Sequence, residues 1–261
     1  MGQHKSNKLG RGLEFSDYRQ YQIGDDYRYI DWNLYSRLGQ LFLKQFSEER
    51  EVSIHFLIDK SNSMSFGNNP SKFELAVKIA AGIGYIGLTQ LDRVGASFFS
   101  NSLNREIDSG KGKDWVTEYF TFLSKEEANG DTNINKALSD FSYRYEKSGL
   151  LIILSDFLDE KGYKTGLKKI IDNNWQVIII QTLAREEIDP EIKGEVQLID
   201  LEDSNKKEIN INQNILSQYH QQLEDYCYQI KQFSNKYKID YNRVNTEDTI
   251  EDIIFKQLHI T

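Results

Sequence analysis

The stretch Val52-Ser53-Ile54-His55-Phe56-Leu57-Ile58-Asp59-Lys60-Ser61-Asn62-Ser63 decides how the chain reads. Its first half is apolar on both sides of a two-residue alternation, which is the pattern of a strand buried on both faces. The strand runs into Asp59, and Asp59-x-Ser61-x-Ser63 follows. A second strand, Leu150–Ser155, is almost wholly aliphatic and runs into Asp156. A third, Val177–Thr182, is similar. Between and after them the spacing predicts helices over Lys72–Gln90, Lys113–Leu123, Ile134–Tyr145, Lys161–Asp172 and Gln213–Tyr237. Ser71 and Glu74 stand at the N-cap and capping-box positions of the first. Arg93–Phe99 and Asp240–Val244 read as further strands, Leu103–Ile107 as a short edge strand, and Thr249–Leu258 as a last helix. Val196–Leu201 and Lys207–Ile211 flank Asp203-Ser204-Asn205, a hairpin signal. The fold expected is α/β: a doubly wound, mostly parallel sheet with helices on both faces.

In such sheets ligands sit beyond the carboxyl ends of the central strands. Asp59 and Asp156 both belong there, and the alternation after Asp59 turns Ser61 and Ser63 the same way. Gly130-Asp131-Thr132-Asn133 adds a threonine just ahead of a helix. Asp59, Ser61, Ser63, Thr132 and Asp156 together make a hard-oxygen set suited to one Mg²⁺ or Mn²⁺, with a position left for an acidic group from a protein partner. The plainer reading of each piece is a helix cap: Asp or Ser after a strand commonly caps the next helix. The order and strand context of all five favour the metal.

Residues 1–50 are a different kind of sequence. Glycines punctuate an alternation of aromatic and charged residues, and a closing strand is expected at Leu41–Phe46. The chain divides into this N-terminal arm, with short strands, and a domain over 51–261. Asp25, Asp26 and Asp31 with Arg19 and Arg28 are expected to form an ion-pair network docking the arm onto the domain, with Tyr29 and Trp32 as apolar anchors. The functional alternative is a binding surface rich in Arg, Tyr and Trp.

The Asp-x-Ser-x-Ser, Thr, Asp series resembles the metal-ion-dependent adhesion site (MIDAS) of von Willebrand factor A domains. Phe15-x-Asp17-x-Arg19-x-Tyr21-x-x-Gly24-Asp25-Asp26-x-Arg28-x-Ile30-Asp31-Trp32, then Arg37 and Leu41-x-Leu43-Lys44-x-Phe46, resembles the signature of the domain-of-unknown-function family 58 (DUF 58), whose members carry a von Willebrand A-like domain. The likeness continues through Met64 to Asp240-Tyr241-x-Arg243-Val244. It implies a partner, a MoxR-type AAA+ ATPase. Relatives often carry transmembrane helices ahead of the signature. Few residues precede it here, no apolar run approaches the ~20 needed to span a bilayer, and a cytoplasmic protein is expected.

Other readings weaken on inspection. The formal charge is −8, with no basic block, which speaks against nucleic acid. Nine acidic residues against three lysines between Glu186 and Glu208 read as a solvated edge. One cysteine, Cys227, allows no intrachain disulfide and no cysteine zinc site. Gly82-x-Gly84-x-x-Gly87 matches a dinucleotide fingerprint by letter only, because it lies inside a helix and not at a strand-to-helix turn. A dehalogenase-type phosphatase needs an acid where Ser61 stands. His55 reads as a hydrogen-bonded core residue. The long helix carries a heptad stripe, Leu216, Tyr219, Leu223, Tyr226, Ile230, Phe233 and Tyr237, which fits packing on the sheet before it fits a coiled coil. The function expected is a non-enzymatic, metal-dependent protein-binding module, an adaptor or co-chaperone. Its rivals are a metal-dependent hydrolase, with Asp131 or Asp159 as base, and an oligomeric scaffold with a vestigial metal site.

Overall fold

A computed structural model describes residues 13–48, 52–146, 148–192, 194–199 and 206–257 of the chain. It resolves into two compact units, Met1–Glu51 and Val52–Thr261.

The first unit is built from β1 (Leu13–Gln20), a 3₁₀ turn (Tyr27–Tyr29), helix α1 (Trp32–Leu38) and β2 (Phe42–Glu48). β1 and β2 pair antiparallel. The helix was not expected, and its boundaries explain why it forms. Asp31 caps it by accepting from the backbone N–H groups of Asn33 and Leu34, and Gly39 closes it at φ 69°. The acids of the signature are mostly caps and turn formers. Asp25 accepts from Gln22 N at 2.8 Å, and Asp26 caps the 3₁₀ turn through Arg28 N. Ion pairs of the arm form within the unit. Arg19 pairs with Asp25 at 2.8 Å, Arg28 with Asp26 at 2.6 Å, and Lys44 with Asp31 at 3.1 Å. Trp32 packs edge-on against Tyr35 of its own helix.

The second unit carries β3 (Ser53–Asp59), a 3₁₀ turn (Asn62–Ser65), α2 (Lys72–Thr89), β4 (Arg93–Phe99), β5 (Leu103–Gly110), α3 (Lys113–Leu123), α4 (Ile134–Arg144), β6 (Leu150–Ser155), α5 (Lys164–Asp172), β7 (Gln176–Leu183), α6 (Arg185–Ile188), β8 (Gly194–Ile199), β9 (Lys206–Ile211), α7 (Gln213–Tyr237), β10 (Asp240–Asn245) and a terminal π-helical turn (Asp252–Gln257). Six strands form one sheet in the order β10-β7-β6-β3-β4-β5. All neighbours are parallel except β5, which closes the edge antiparallel to β4. Ile54, Phe56 and Ile58 of β3 join α2 and α3 on one face. Leu57 joins α4, α5 and α7 on the other. This is the doubly wound α/β architecture with helices on both faces. Chain order reverses at β3: β4 lies on one side and β6 on the other, so their carboxyl ends open the crevice where such folds take ligands.

Two differences from expectation have local causes. α5 starts at Lys164, because Gly162 at φ 73° breaks the chain ahead of it. α6 is a single turn that periodicity could not signal. β8 and β9 pair as a hairpin, while its expected turn, Asp203-Ser204-Asn205, lies outside the described residues. The glycines of α2 do serve close packing, but against more than the sheet. A Cβ on Gly84 would stand 2.5 Å from the Tyr119 ring of α3, one on Gly82 2.9 Å from Ile254, and one on Gly87 3.0 Å from Ile54. Among the described residues no helix is long and apolar enough to cross a membrane.

Candidate metal centre

The register places Ile58 beside Leu154, so Asp59 ends β3 level with Ser155, and Asp156 follows one residue on. Both aspartates are buried, as are Ser61, Ser155 and Thr132. Asp59 is held at both oxygens: Oδ1 accepts from Ser61 N at 2.9 Å and Oδ2 from the Ser155 hydroxyl at 2.6 Å. The Ser61 and Ser63 hydroxyls lie 3.2 Å apart. Two of the loops are stitched together. Asn62 N donates to Gly130 O at 2.8 Å, Gly130 N to Asn62 Oδ1 at 3.0 Å, and Asn129 N to Lys60 O at 2.6 Å. That lattice brings the Thr132 segment against the Asp59 loop. The Thr132 hydroxyl is buried and has no hydrogen-bond partner.

Asp156 is aimed by a strained turn. Phe157 follows it at φ 60°, a left-handed conformation rare for a bulky residue. The turn is fixed from behind. Gln181 Nε2 donates to Asp156 O at 2.9 Å, Tyr241 donates to Gln181 at 2.5 Å, and the Tyr226 hydroxyl donates to Phe157 O. The Asp156 carboxylate accepts from Leu158 N through Oδ1 at 2.9 Å and from Lys72 Nζ through Oδ2 at 2.7 Å. Lys72 is wholly buried and also donates to Glu187 Oε1 at 2.5 Å. Burial alone would lower its pKa, but Asp156 and Glu187 outweigh that and hold the ammonium above its ordinary value.

Asp59, Ser61, Ser63 and Asp156 thus lie at the carboxyl ends of β3 and β6, and the segment bearing Thr132 is hydrogen-bonded to the Asp59 loop. Ser155, Lys72 and Glu187 were missed. Lys72 did leave a signal: a lysine in the first turn of an apolar helix opposes the helix dipole, and so calls for carboxylates nearby. Glu187 left none, since it is one acid among many in its stretch.

The donor set suits a divalent cation. Burial first, and the Asp156 charge second, push Asp59 well above the ordinary carboxylate range, and a divalent cation beside it would favour its charged form. Among the described residues no group of three or more His, Cys, Asp and Glu converges as a metal cluster. A cation here would have to draw on hydroxyl oxygens, and the unpartnered Thr132 hydroxyl could serve as one. Asp159, one proposed base, has both oxygens engaged: Oδ2 accepts from Ile134 N at 2.8 Å and Oδ1 from Lys161 N at 2.8 Å. Asp131, the other, is exposed.

Fold and sheet order define a doubly wound α/β domain with a mostly parallel six-stranded sheet. The chain matches the family described as "Protein of unknown function DUF58" over residues 17–226, and it belongs to that family. The uncharacterized protein Rv1480 of Mycobacterium tuberculosis is 26% identical over 215 residues, covering 81% of this chain and 68% of that protein. Among solved structures, the conserved hypothetical protein BatB from Bacteroides thetaiotaomicron is similar at 15% identity, over 80% of this chain and 97% of that one, with a TM-score of 0.47. The VWA domain of SpRpn10 is similar at 10% identity, over 79% and 95%, with a TM-score of 0.45.

Proposed function

We propose that this protein is a non-enzymatic, metal-dependent protein-binding module. The observation that carries the proposal is the Thr132 hydroxyl, buried and unpartnered in a loop stitched to the one that bears Asp59, Ser61 and Ser63. An orphaned buried hydroxyl costs about 1–3 kcal/mol, a cost a ligand at that point would remove. Asp59, Ser61, Ser63 and Thr132 would hold Mg²⁺ or Mn²⁺, with Asp156 reaching it directly or through water. The ion, when bound, would offer one position to a partner's Asp or Glu.

The partner proposed is a MoxR-type AAA+ ATPase, with this chain as adaptor or co-chaperone in the cytoplasm. Family membership motivates that choice. Of the two bases a hydrolase reading offers, Asp159 has both oxygens committed to backbone N–H groups. The test is capture of a purified MoxR-type ATPase from the same organism on the immobilised protein, in Mg²⁺ and in EDTA. Capture in Mg²⁺ that disappears in EDTA supports the proposal. Capture that persists undiminished in EDTA removes the metal from it.

A further inference from the structure

Lys72 is a buried positive charge beside the proposed metal site. It belongs to α2 yet spends both of its contacts elsewhere, on Asp156 past β6 and on Glu187 in α6. Glu187 is itself anchored, since its Oε2 accepts from Ala184 N at 2.8 Å. The lysine has no exposed surface, and the Glu187 side chain has 16%. Screening by solvent between these groups is therefore weak, and each charge acts on whatever lies beside Asp156.

We propose that Lys72 and Glu187 are an opposed pair that sets the metal affinity of the site: Lys72 lowers it by occupying one oxygen of Asp156 and repelling a second cation, and Glu187 restores it by offsetting the Lys72 charge. The inference rests on the metal reading above. It gives opposite signs to two changes that both break the same ion pair. Lys72→Met frees Asp156 Oδ2 and leaves two carboxylates without a resident cation, so the metal binds more tightly. Glu187→Gln leaves the ammonium on Asp156 with nothing to offset it, so the metal binds more weakly. A merely structural bridge between α2, β6 and α6 would lose stability in both variants and would not split the affinities.

The experiment is calorimetric titration of Mn²⁺ into wild type, Lys72→Met, Lys72→Arg and Glu187→Gln, with thermal melts in Mn²⁺ and in EDTA. Expected are a gain of about tenfold or more in affinity for Lys72→Met, a loss of about the same size for Glu187→Gln, and little change for Lys72→Arg. Lys72→Met should also be the variant whose melting temperature rises most on adding Mn²⁺. Should it fail to fold in EDTA, Glu187→Gln decides alone, because it retains the Lys72–Asp156 contact. Wild-type binding with both variants shifted the same way, or with Glu187→Gln unchanged, overturns this inference and leaves the metal site standing. No saturable binding by wild type overturns both.

Discussion

Thr132 and His55 show how much a single buried polar atom constrains. If the Thr132 hydroxyl is a metal ligand and nothing else, Thr132→Val removes an unpaired group without opening a cavity. The variant should melt no lower than wild type in EDTA and bind Mg²⁺ at least about tenfold more weakly. A melting temperature several degrees lower in EDTA would give the hydroxyl a structural role instead. His55 belongs to β3 in the middle of the sheet, 2% exposed, with Nε2 2.8 Å from the Ser97 hydroxyl and its ring against Phe141 and Tyr145. Burial lowers its pKa to about 3. The unfolded chain therefore takes up a proton near 6.5 that the fold refuses, and stability falls as pH drops through that value. Denaturant unfolding should show a loss of about 2 kcal/mol from this residue between pH 7.5 and 5. The loss should be absent in His55→Gln, and an equal acid slope in both proteins would contradict the assignment.

At the scale of elements, legibility followed periodicity. The central strands and α2, α3, α4 and α7 announce themselves because their apolar residues repeat at the period of the element that buries them. α1 and α6 do not, because they are held by caps at their ends. The site divides in the same way. Asp59 and Asp156 could be found because each ends an apolar strand, whereas Lys72 and Glu187 meet only after α2 and α6 are folded onto the crevice. Close approach of α2 to α3 gives the sharpest test of packing. Gly84→Ala drives a methyl into the Tyr119 ring, whose hydroxyl is tied to Ala80 O at 2.9 Å. Equilibrium unfolding should show a loss of about 1–3 kcal/mol. A neutral result would mean that the two helices lie further apart.

For the whole molecule, the heptad stripe of α7 is largely used inside the fold. Leu223, Ile230 and Phe233 are buried, the latter two in the core with Leu57, Leu167 and Ile179. Tyr219 binds Glu187 O at 2.7 Å. The stripe therefore gives no seam for a coiled coil, and light scattering should return a monomer mass independent of concentration. A mass that climbs towards a dimer would favour the scaffold reading. What sequence could not convey is how completely the crevice is built from groups far apart in the chain. Asp59, Lys72, Thr132, Asp156 and Glu187 come from five separate segments, and only the strand order β7-β6-β3-β4 brings them to one edge. The measurement that bears most directly on this account is calorimetric titration of Mg²⁺ and Mn²⁺ into wild type and Asp59→Ala. Saturable binding of one ion by wild type, lost in Asp59→Ala, is the predicted result. Absence of binding in wild type, or equal binding in both proteins, would contradict the claim that Asp59 and its neighbours form a metal site.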